Sequence, residues 1–354
     1  MSRNICIAGS GKIALDAGLY FLTRGNAVSW VSHSEDCIAR LQWRVDKSVH
    51  RFMKHAGGAA RRISASFFMY GELERESFEV IFECSRESPE VKQGVFADIV
   101  RHADPHAIFL SASSSILPSE IGAACCGLHV FYPMELSGVA EVIVPHDAPA
   151  ATREAVFAFC KDNRIACIVE NERNAFVVNR LLLPLQNEVF LGVASGICSD
   201  DVNAASASAL VPMGQYDLVR SVGPLVVASA VRNYRSRMNA ACSALFDPLS
   251  QGLANTAACG GKSTEGRRLQ PRERDELTTT LYYLFINTCL EFLERKEIHA
   301  ADLDLVLDSV FGAELSFTRA LAKEEKPVIT RVLETALRNG GKEYFKPSKL
   351  LLPD

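Results

Sequence analysis

A glycine turn close to the N-terminus most constrains how this chain can fold. The apolar run ICIA is followed by Gly9, Gly11 and Ala14 in the pattern G-x-G-x-x-A, and a helical pattern begins near Lys12. The first glycine permits a tight bend, the second lets the backbone approach a diphosphate, and the third position must be small for the helix to pack on the strand. Because free N–H groups at such a helix start bind phosphates, these three residues predict a dinucleotide site.

The second strand, AVSWVS, lacks the acidic residue that holds the adenosine ribose after such a turn. Ser32 stands at its end, and a serine hydroxyl can still form a hydrogen bond with a ribose hydroxyl. Glu35 and Asp36 would repel a 2′-phosphate, whereas Arg40 would attract one. We expect Ser32 to bind the ribose of NAD, with NADP as the alternative.

Strand and helix patterns alternate through residues 1–172. The β-rich runs include FEVIFEC, HAIFLSAS, GLHVFYP, AEVIVP and ACIVEN, with helical segments such as SPEVKQGVFADIVRHA between them. This alternation favours parallel pairing through right-handed crossovers. We therefore expect residues 1–172 to form a Rossmann-like, doubly wound sheet that binds the dinucleotide.

The strand patterns stop after residue 172, so an all-α part is expected to follow the α/β domain. Residues 173–250 read as helices, and residues 251–271 are rich in Gly, Ser, Asn and Thr, which predicts a linker or mobile loop. The helical pattern returns over residues 272–354 and resembles the first. Several residues recur at an offset of 100 or 101: Leu181 and Leu281, Asn187 and Asn287, Ile197 and Ile298, Asp201 and Asp302. We expect two related helical domains, at 173–250 and 272–354.

Composition excludes several classes of partner. The 354 residues carry a net charge of −4, which gives no broad attraction to nucleic acid or to an anionic membrane. The longest apolar runs are shorter than the ~20 residues of a membrane span, and the N-terminus lacks a signal-peptide pattern. The eleven cysteines form no CxxC pair, so we expect reduced thiols, no metal site and a cytoplasmic location.

Several motifs occur in the order that one enzyme family uses. SASSSIL, GLHVFYP and AEVIV resemble the NTSSL, GLHFFNP and VEV of the 3-hydroxyacyl-CoA dehydrogenase family. NAFVVNRLLLPLQNEV and VPMGQYDLVRSVG are similar to its GFIVNRLLVPYLNEA and YPMGPFELLDLVG, and ECSRESPEVKQGVF to its EAIVENLKVKNELF. The resemblance runs from Ile5 to the C-terminus.

The resemblance implies roles for five residues. By position, His129 is the catalytic base and Glu141 is the carboxylate that orients it. Ser114 matches a substrate-binding serine, Asn179 an active-site asparagine, and Glu87 a carboxylate near the nicotinamide. Without the motifs, each has an ordinary explanation: a core histidine, a turn serine, a helix-bridging asparagine or a solvated acid.

The chemistry of alcohol oxidation agrees with these residue types. A base must take the hydroxyl proton as hydride leaves carbon, and neutral imidazole suits this near pH 7. A carboxylate on the far ring nitrogen fixes the tautomer and stabilises the imidazolium. Glu141 lies inside the apolar run GVAEVIVP, where an unpaired acid would be costly to bury, so His129 is its expected partner. Ser114 and Asn179 can donate hydrogen bonds to the carbonyl oxygen.

Some positions depart from the family pattern. Tyr132 replaces the asparagine of HFFNP, and Ala112 replaces that of NTSSL, which leaves the base and its acid but changes their surroundings. Arg61 and Arg62 loosely match basic residues that bind the coenzyme A phosphates. These departures indicate a shifted substrate rather than an inactive enzyme.

The expected function is that of an NAD(P)-dependent oxidoreductase in fatty acid metabolism. It would interconvert a 3-hydroxyacyl thioester, on coenzyme A or an acyl carrier protein, and its 3-oxoacyl form. The alternatives are a dehydrogenase of a free β-hydroxy acid, such as carnitine or a sugar acid, and a non-catalytic binder of dinucleotide or acyl thioester. Thr279 stands where Asn179 stands in the first helical copy, so only that copy should face the active site, and the chain is expected to be a monomer or a homodimer.

Overall fold

The computed structural model divides into two compact units, Met1–Ala175 and Phe176–Asp354. It describes residues 2–55, 64–73, 77–208, 210–235, 243–258, 265–312, 325–339 and 342–352. The division falls three residues after the boundary expected from the end of the strand patterns. Arg61 and Arg62, the loosely matched basic pair, lie outside the described residues.

The first unit contains one eight-stranded sheet in the order β3-β2-β1-β4-β5-β6-β7-β8. The strands are β1 Asn4–Ala8, β2 Ala27–Ser32, β3 Ser64–Met69, β4 Phe78–Glu83, β5 Ala103–Ser111, β6 Cys125–Val130, β7 Val139–Ile143 and β8 Ala166–Glu170. This Rossmann-like sheet confirms the predicted fold class. The edge strand β3, SASFFM, was not among the predicted strands.

The last two strands run against the rest of the sheet. Strands β1 to β6 pair in parallel, β7 pairs antiparallel with β6, and β8 is parallel to β7. Only residues 131–138 join β6 to β7, which is too short for the crossover that a parallel pair requires. The expectation of parallel pairing therefore holds up to β6 and is wrong for the β6–β7 pair.

Helices cover both faces of this sheet, as a doubly wound fold requires. They are α1 Lys12–Thr23, α2 Glu35–His55, α3 Pro89–Ile99, α4 Pro118–Ile121, α5 Met134–Ser137 and α6 Ala150–Asp162. One core joins α1, α2 and α6 to the sheet around Phe21, Trp30 and Phe159. A second core, on Phe78 and Ile81, packs with Ile99 of α3.

The second unit is helical over its described residues. Its helices are α7 Val177–Ala194, α8 Ser199–Ser206, α9 Gln215–Val222, α10 Pro224–Arg235, α11 Ser243–Ala258, α12 Pro271–Glu294, α13 Ala300–Leu305 and α14 Lys326–Arg338. Helix α11 occupies residues 251–258, so the first part of the predicted linker is helical instead. Residues 251–258 contain few large apolar side chains, so the helical pattern is weak in the sequence. The helix nevertheless buries Leu249 and Leu253. Among the helices described in both units, none combines the length and hydropathy of a membrane span.

Helices α7 and α12 end in the same way. Three backbone hydrogen bonds at the end of α7 recur 100 residues later at the end of α12. In α7 they run from Ser195 N to Leu191 O, from Gly196 N to Val193 O and from Ile197 N to Gly192 O. In α12 they run from Arg295 N to Glu291 O, from Lys296 N to Leu293 O and from Glu297 N to Phe292 O. Both Gly196 and Lys296 have positive φ. The following helices, α8 and α13, begin 101 residues apart. This recurrence supports the duplication, and the division into two domains stays a prediction.

Two buried asparagines at matching places hold the C-terminal segment. Asn287 donates to the carbonyl oxygens of Tyr344 (3.2 Å) and Lys346 (2.9 Å) and accepts from the Ser348 N–H at 2.8 Å. Asn187 donates once, to the Tyr344 hydroxyl at 2.7 Å, and its Oδ1 has no partner among the described residues. The α12 asparagine therefore makes the larger contribution to holding residues 342–352.

Replacing these asparagines tests that difference. We expect Asn287→Ala to lower the free energy of unfolding by about 2 to 4 kcal/mol, because it removes three bonds and leaves the buried Ser348 N–H unpaired. Asn187→Ala is the matched control and should cost about 1 kcal/mol, since only one bond is lost. Urea denaturation followed by circular dichroism measures both. Equal losses of unfolding free energy in the two variants would contradict the larger contribution of Asn287.

Candidate active site

The predicted glycine turn is shaped for a close approach of a ligand to the backbone. Gly9 has φ +144°, and a Cβ there would lie 2.6 Å from the carbonyl oxygen of Cys84. A Cβ at Gly11 would meet open space, and no described side chain caps the N-terminus of α1 that starts there. Ala14 is buried, and its carbonyl accepts from the indole of Trp30 at 2.9 Å. The turn therefore offers uncapped N–H groups, as a dinucleotide diphosphate requires.

Hydroxyl groups replace the usual acid at the end of β2. Ser32 is buried, and its Oγ lies 3.3 Å from the Oγ of Ser10 inside the glycine turn. Hydrogen bonds from Ser34 and Ser10, and then from Arg40, lower the pKa of the half-buried Cys37 thiol next to them. Ser32 thus lies next to the glycine turn in a polar setting, and its contact with a ribose stays a prediction.

His129 and Glu141 face each other across β6 and β7. They are direct partners in the antiparallel register, and His129 Nδ1 lies 2.5 Å from Glu141 Oε2. The histidine is 8% exposed and the glutamate fully buried. Phe131 contacts the imidazole edge-on, with ring centroids 4.8 Å apart. The pairing predicted from the buried acid is therefore present in the fold.

Glu87 and Ser114, two further predicted site residues, contact each other. Glu87 Oε1 accepts from the Ser114 backbone N–H at 3.0 Å and from its hydroxyl at 3.4 Å. The hydroxyls of Ser113 and Ser115 donate to the same oxygen, both at 2.8 Å. The carboxylate after β4 thus fixes the serine loop after β5, at the carboxyl edge of the sheet where such folds bind ligands.

A buried lysine, missed by the sequence analysis, completes this cluster. Lys92 of α3 is 1% exposed, and its Nζ lies 3.0 Å from Glu83 Oε2 and 3.4 Å from Glu87 Oε2. The Ser111 hydroxyl donates to Glu83 at 2.6 Å. The available signal was the four-residue spacing from Lys92 to Phe96, which places a charge on the apolar face of α3.

Opposite charges keep this cluster ionised despite its burial. Burial alone would raise the pKa of Glu87, but the Lys92 charge and the serine hydrogen bonds outweigh it and lower that pKa. Burial would lower the pKa of Lys92, but the charges of Glu83 and Glu87 outweigh it and raise that pKa. Glu83, Glu87 and Lys92 therefore form a charged brace, a set of ion pairs that links β4, α3 and the serine loop.

The remaining departures from the family pattern lie near the glycine turn and β4. Tyr132 is 52% exposed, and Lys12 Nζ lies 3.7 Å from the centroid of its ring. Ala112 is partly buried, and its backbone N–H donates to Glu83 O at 2.8 Å.

Asn179 belongs to the second unit, where its Nδ2 donates to the Tyr234 hydroxyl at 3.0 Å. Its catalytic role stays a prediction.

The sheet, the glycine turn and its uncapped helix define an α/β dinucleotide-binding domain. Residues 4–173 match the family described as 3-hydroxyacyl-CoA dehydrogenase, NAD binding domain. This match covers just under half of the chain, and it confirms the resemblance seen in the sequence and the NAD-binding character of the fold.

Known proteins extend the similarity beyond this domain. A curated relative, the fatty acid oxidation complex subunit alpha of Idiomarina loihiensis, is 28% identical over 241 residues, 63% of this chain. The alignment covers 34% of that protein, so the chain spans about a third of its length. The 3-hydroxybutyryl-CoA dehydrogenase of Escherichia coli K12 has a TM-score of 0.75 at 14% identity, covering 99% of this chain and 98% of that one. FadB2 of M. tuberculosis has a TM-score of 0.62 at 21% identity, covering 73% and 94%. These structures share the fold.

Neutralising Lys92 tests the charged brace. We expect Lys92→Met to lower the free energy of unfolding by about 3 to 5 kcal/mol at pH 7, because it leaves two buried carboxylates uncompensated. Urea unfolding curves at pH 7 and pH 5 measure this, with the exposed Lys161→Met on α6 as the control.

The dependence of the unfolding free energy on pH should also differ between the two proteins, since between pH 7 and 5 the wild-type contribution of Glu87 is nearly constant. In the wild type the lowered pKa of Glu87 means that the unfolded chain protonates first, so this contribution is lost as pH falls through the folded pKa. In Lys92→Met the buried acids would protonate first in the folded state, so acidification from pH 7 to 5 should recover stability. The same pH slope in both proteins would show that the brace is not a charged one.

Proposed function

We propose that this chain is an NAD-dependent dehydrogenase that interconverts a 3-hydroxyacyl thioester and its 3-oxoacyl form. The observation that carries the proposal is the buried His129–Glu141 pair, within a domain that matches the 3-hydroxyacyl-CoA dehydrogenase NAD-binding family. A histidine hydrogen-bonded to a buried carboxylate is suited to accept an alcohol proton.

The dinucleotide would be held along the carboxyl edge of the sheet. Gly9 and Gly11 would let the diphosphate approach the backbone, Ala14 lets α1 pack close to β2, and Ser32 would bond to the adenosine ribose. The nicotinamide ring, when bound, exchanges a hydride with the substrate carbon. Glu87 would lie beside it as part of the cluster that orders the serine loop.

His129 would act as the base and Glu141 as its positioning partner. With Nδ1 bonded to Glu141 Oε2, the opposite ring nitrogen, Nε2, is the one that would take the hydroxyl proton. The imidazolium so formed is stabilised by the buried carboxylate, which also holds the ring in a single tautomer. In the reverse direction His129 would return the proton to the carbonyl oxygen.

Ser114 and Asn179 would bind the substrate oxygen. Glu87 fixes the Ser114 backbone, and the Ser114 hydroxyl, which donates to Glu87 at 3.4 Å, would turn to the substrate oxygen when substrate binds. For Asn179 the support is its place in the motif VVNRLLLP, third in helix α7. Both roles are parts of the proposal.

The acyl carrier would be coenzyme A or an acyl carrier protein. Support comes from relatives named for fatty acid oxidation and for 3-hydroxybutyryl-CoA. Tyr132 and Ala112, which replace two polar family residues, point to a changed acyl group or to a free hydroxy acid. We further propose that the chain is cytoplasmic and is a monomer or a homodimer.

The defining experiment is a fluorescence titration with NADH and NADPH, followed by assays of acetoacetyl-CoA, acetoacetyl-acyl carrier protein and free 3-oxo acids. Tight NADH binding with turnover of a thioester supports the proposal. Turnover confined to free acids would identify the chain as a dehydrogenase of a free β-hydroxy acid. Binding of the dinucleotide without any turnover would identify it as a non-catalytic binding protein. Absence of NADH and NADPH binding at millimolar concentration would remove the dehydrogenase assignment.

Replacing the base should separate chemistry from cofactor binding. We expect His129→Gln to lower kcat by ~10²-fold or more while leaving the Kd for NADH within about 2-fold, because only proton transfer is lost. The exposed His106→Gln on β5 is the control and should behave as wild type. Unchanged kcat in His129→Gln would overturn the role of the base.

Replacing the buried acid should act through the histidine. We expect Glu141→Gln, which keeps the size of the side chain, to lower kcat by ~10²-fold or more, since the amide presents no charge to the imidazolium. Glu170→Gln at the end of β8, a buried acid on the neighbouring strand, is the matched control. If the two variants lost equal activity, the effect would be structural, and Glu141 would have no positioning role.

A further inference from the structure

One face of α1 carries polar residues at a four-residue spacing. Lys12, Asp16 and Tyr20 recur along the helix, and Arg24 follows at its C-terminal end. Residues four apart lie above one another on a helix. The guanidinium of Arg24 stacks on the Tyr20 ring, 3.3 Å from its centroid, so these side chains form a continuous stripe.

This stripe binds the segment that follows the predicted base. Asp16 Oδ2 accepts from the backbone N–H of Met134 at 2.8 Å, and Arg24 Nη1 lies 2.8 Å from Glu135 Oε2. At the other end, the Lys12 ammonium contacts the face of the Tyr132 ring at 3.7 Å. Since Tyr132 is three residues beyond His129, α1 holds residues 132–135, the segment that follows the predicted base.

Lys12 is also the first residue of the helix that follows the glycine turn. A diphosphate bound at Gly9 and Gly11 would lie at this N-terminus, where the helix offers only a partial positive charge. An ammonium group there supplies a full charge. The aromatic ring keeps it near this end, since an unrestrained lysine side chain has many rotamers.

We propose that Lys12, held by the ring of Tyr132, binds the diphosphate of the dinucleotide and makes Tyr132 a cofactor-positioning residue in this chain. The inference rests on the proposed function, because it assigns a contact within the same cofactor site. It explains what the tyrosine does where the family pattern has an asparagine: the ring serves the cofactor rather than the substrate oxygen.

Three variants separate the charge from the ring. Lys12→Met should raise the Kd for NADH by ~10-fold or more, because a charge-assisted contact is lost. Tyr132→Asn should raise it by about 2- to 5-fold, and Tyr132→Phe, which keeps the ring face, by less than about 2-fold. The control is Lys47→Met on the exposed face of α2, which removes an equal charge stacked on Trp43 at 4.9 Å.

Two further measurements locate the contact. ADP-ribose, which has the diphosphate but no nicotinamide, should lose affinity for Lys12→Met to the same degree as NADH in a competition titration. The salt dependence of NADH binding should become shallower in Lys12→Met, since one cationic contact is gone. Circular dichroism of each variant identifies any that fails to fold, and Lys12→Arg should then retain affinity, because it keeps the charge.

The outcomes distinguish this inference from the proposed function. If the wild type binds no dinucleotide, the proposed function fails. If the wild type binds NADH and Lys12→Met binds it equally well, or if only the KM for the acyl substrate rises, the Lys12 assignment is overturned. Loss of NADH affinity without loss of ADP-ribose affinity also overturns it, since the contact would then be with the nicotinamide half.

Discussion

The hydrogen bond between His129 and Glu141 is the contact on which the rest of the proposed chemistry depends. An ionised carboxylate with no exposed surface is very costly unless it is paired, so the fold must place a cationic or hydrogen-bonding group opposite Glu141. The reversal of strand direction at β7 meets this need, because it makes the two residues direct cross-strand neighbours. The structural requirement and the catalytic one are therefore met by the same geometry.

A second buried charge cluster organises the carboxyl edge of the sheet. Lys92 forms ion pairs with both Glu83 and Glu87, and Glu87 in turn orients the loop that carries Ser114. Removing Lys92 would leave both carboxylates without their cation in a largely buried position, which is costly. This arrangement gives the serine loop a fixed shape before any ligand binds, which favours tight and specific binding.

Much of the first unit could be predicted from the sequence, because its strongest signals are local. The G-x-G-x-x-A turn, the apolar strands and the acid inside GVAEVIVP each depend on neighbouring residues. The edge strand β3 was missed because its residues are exposed or only half-buried, so SASFFM lacks the signal of a buried strand. The antiparallel direction of β7 was missed because direction depends on connection length. The contacts of Lys92 and Lys12 join residues distant in sequence or on separate elements, so no periodicity reveals them. The helix over residues 251–258 was obscured by its small polar residues.

The antiparallel pair has one further consequence. His129, Glu141 and the segment between them all lie within residues 125–143, so the proposed base and its acid come from one nearly contiguous stretch of sequence. The pairing of His129 with Glu141 also depends on the register between β6 and β7. Side chains on a strand alternate between faces, so a one-residue shift of β7 along β6 would turn Glu141 to the opposite side of the sheet and leave His129 without this hydrogen bond.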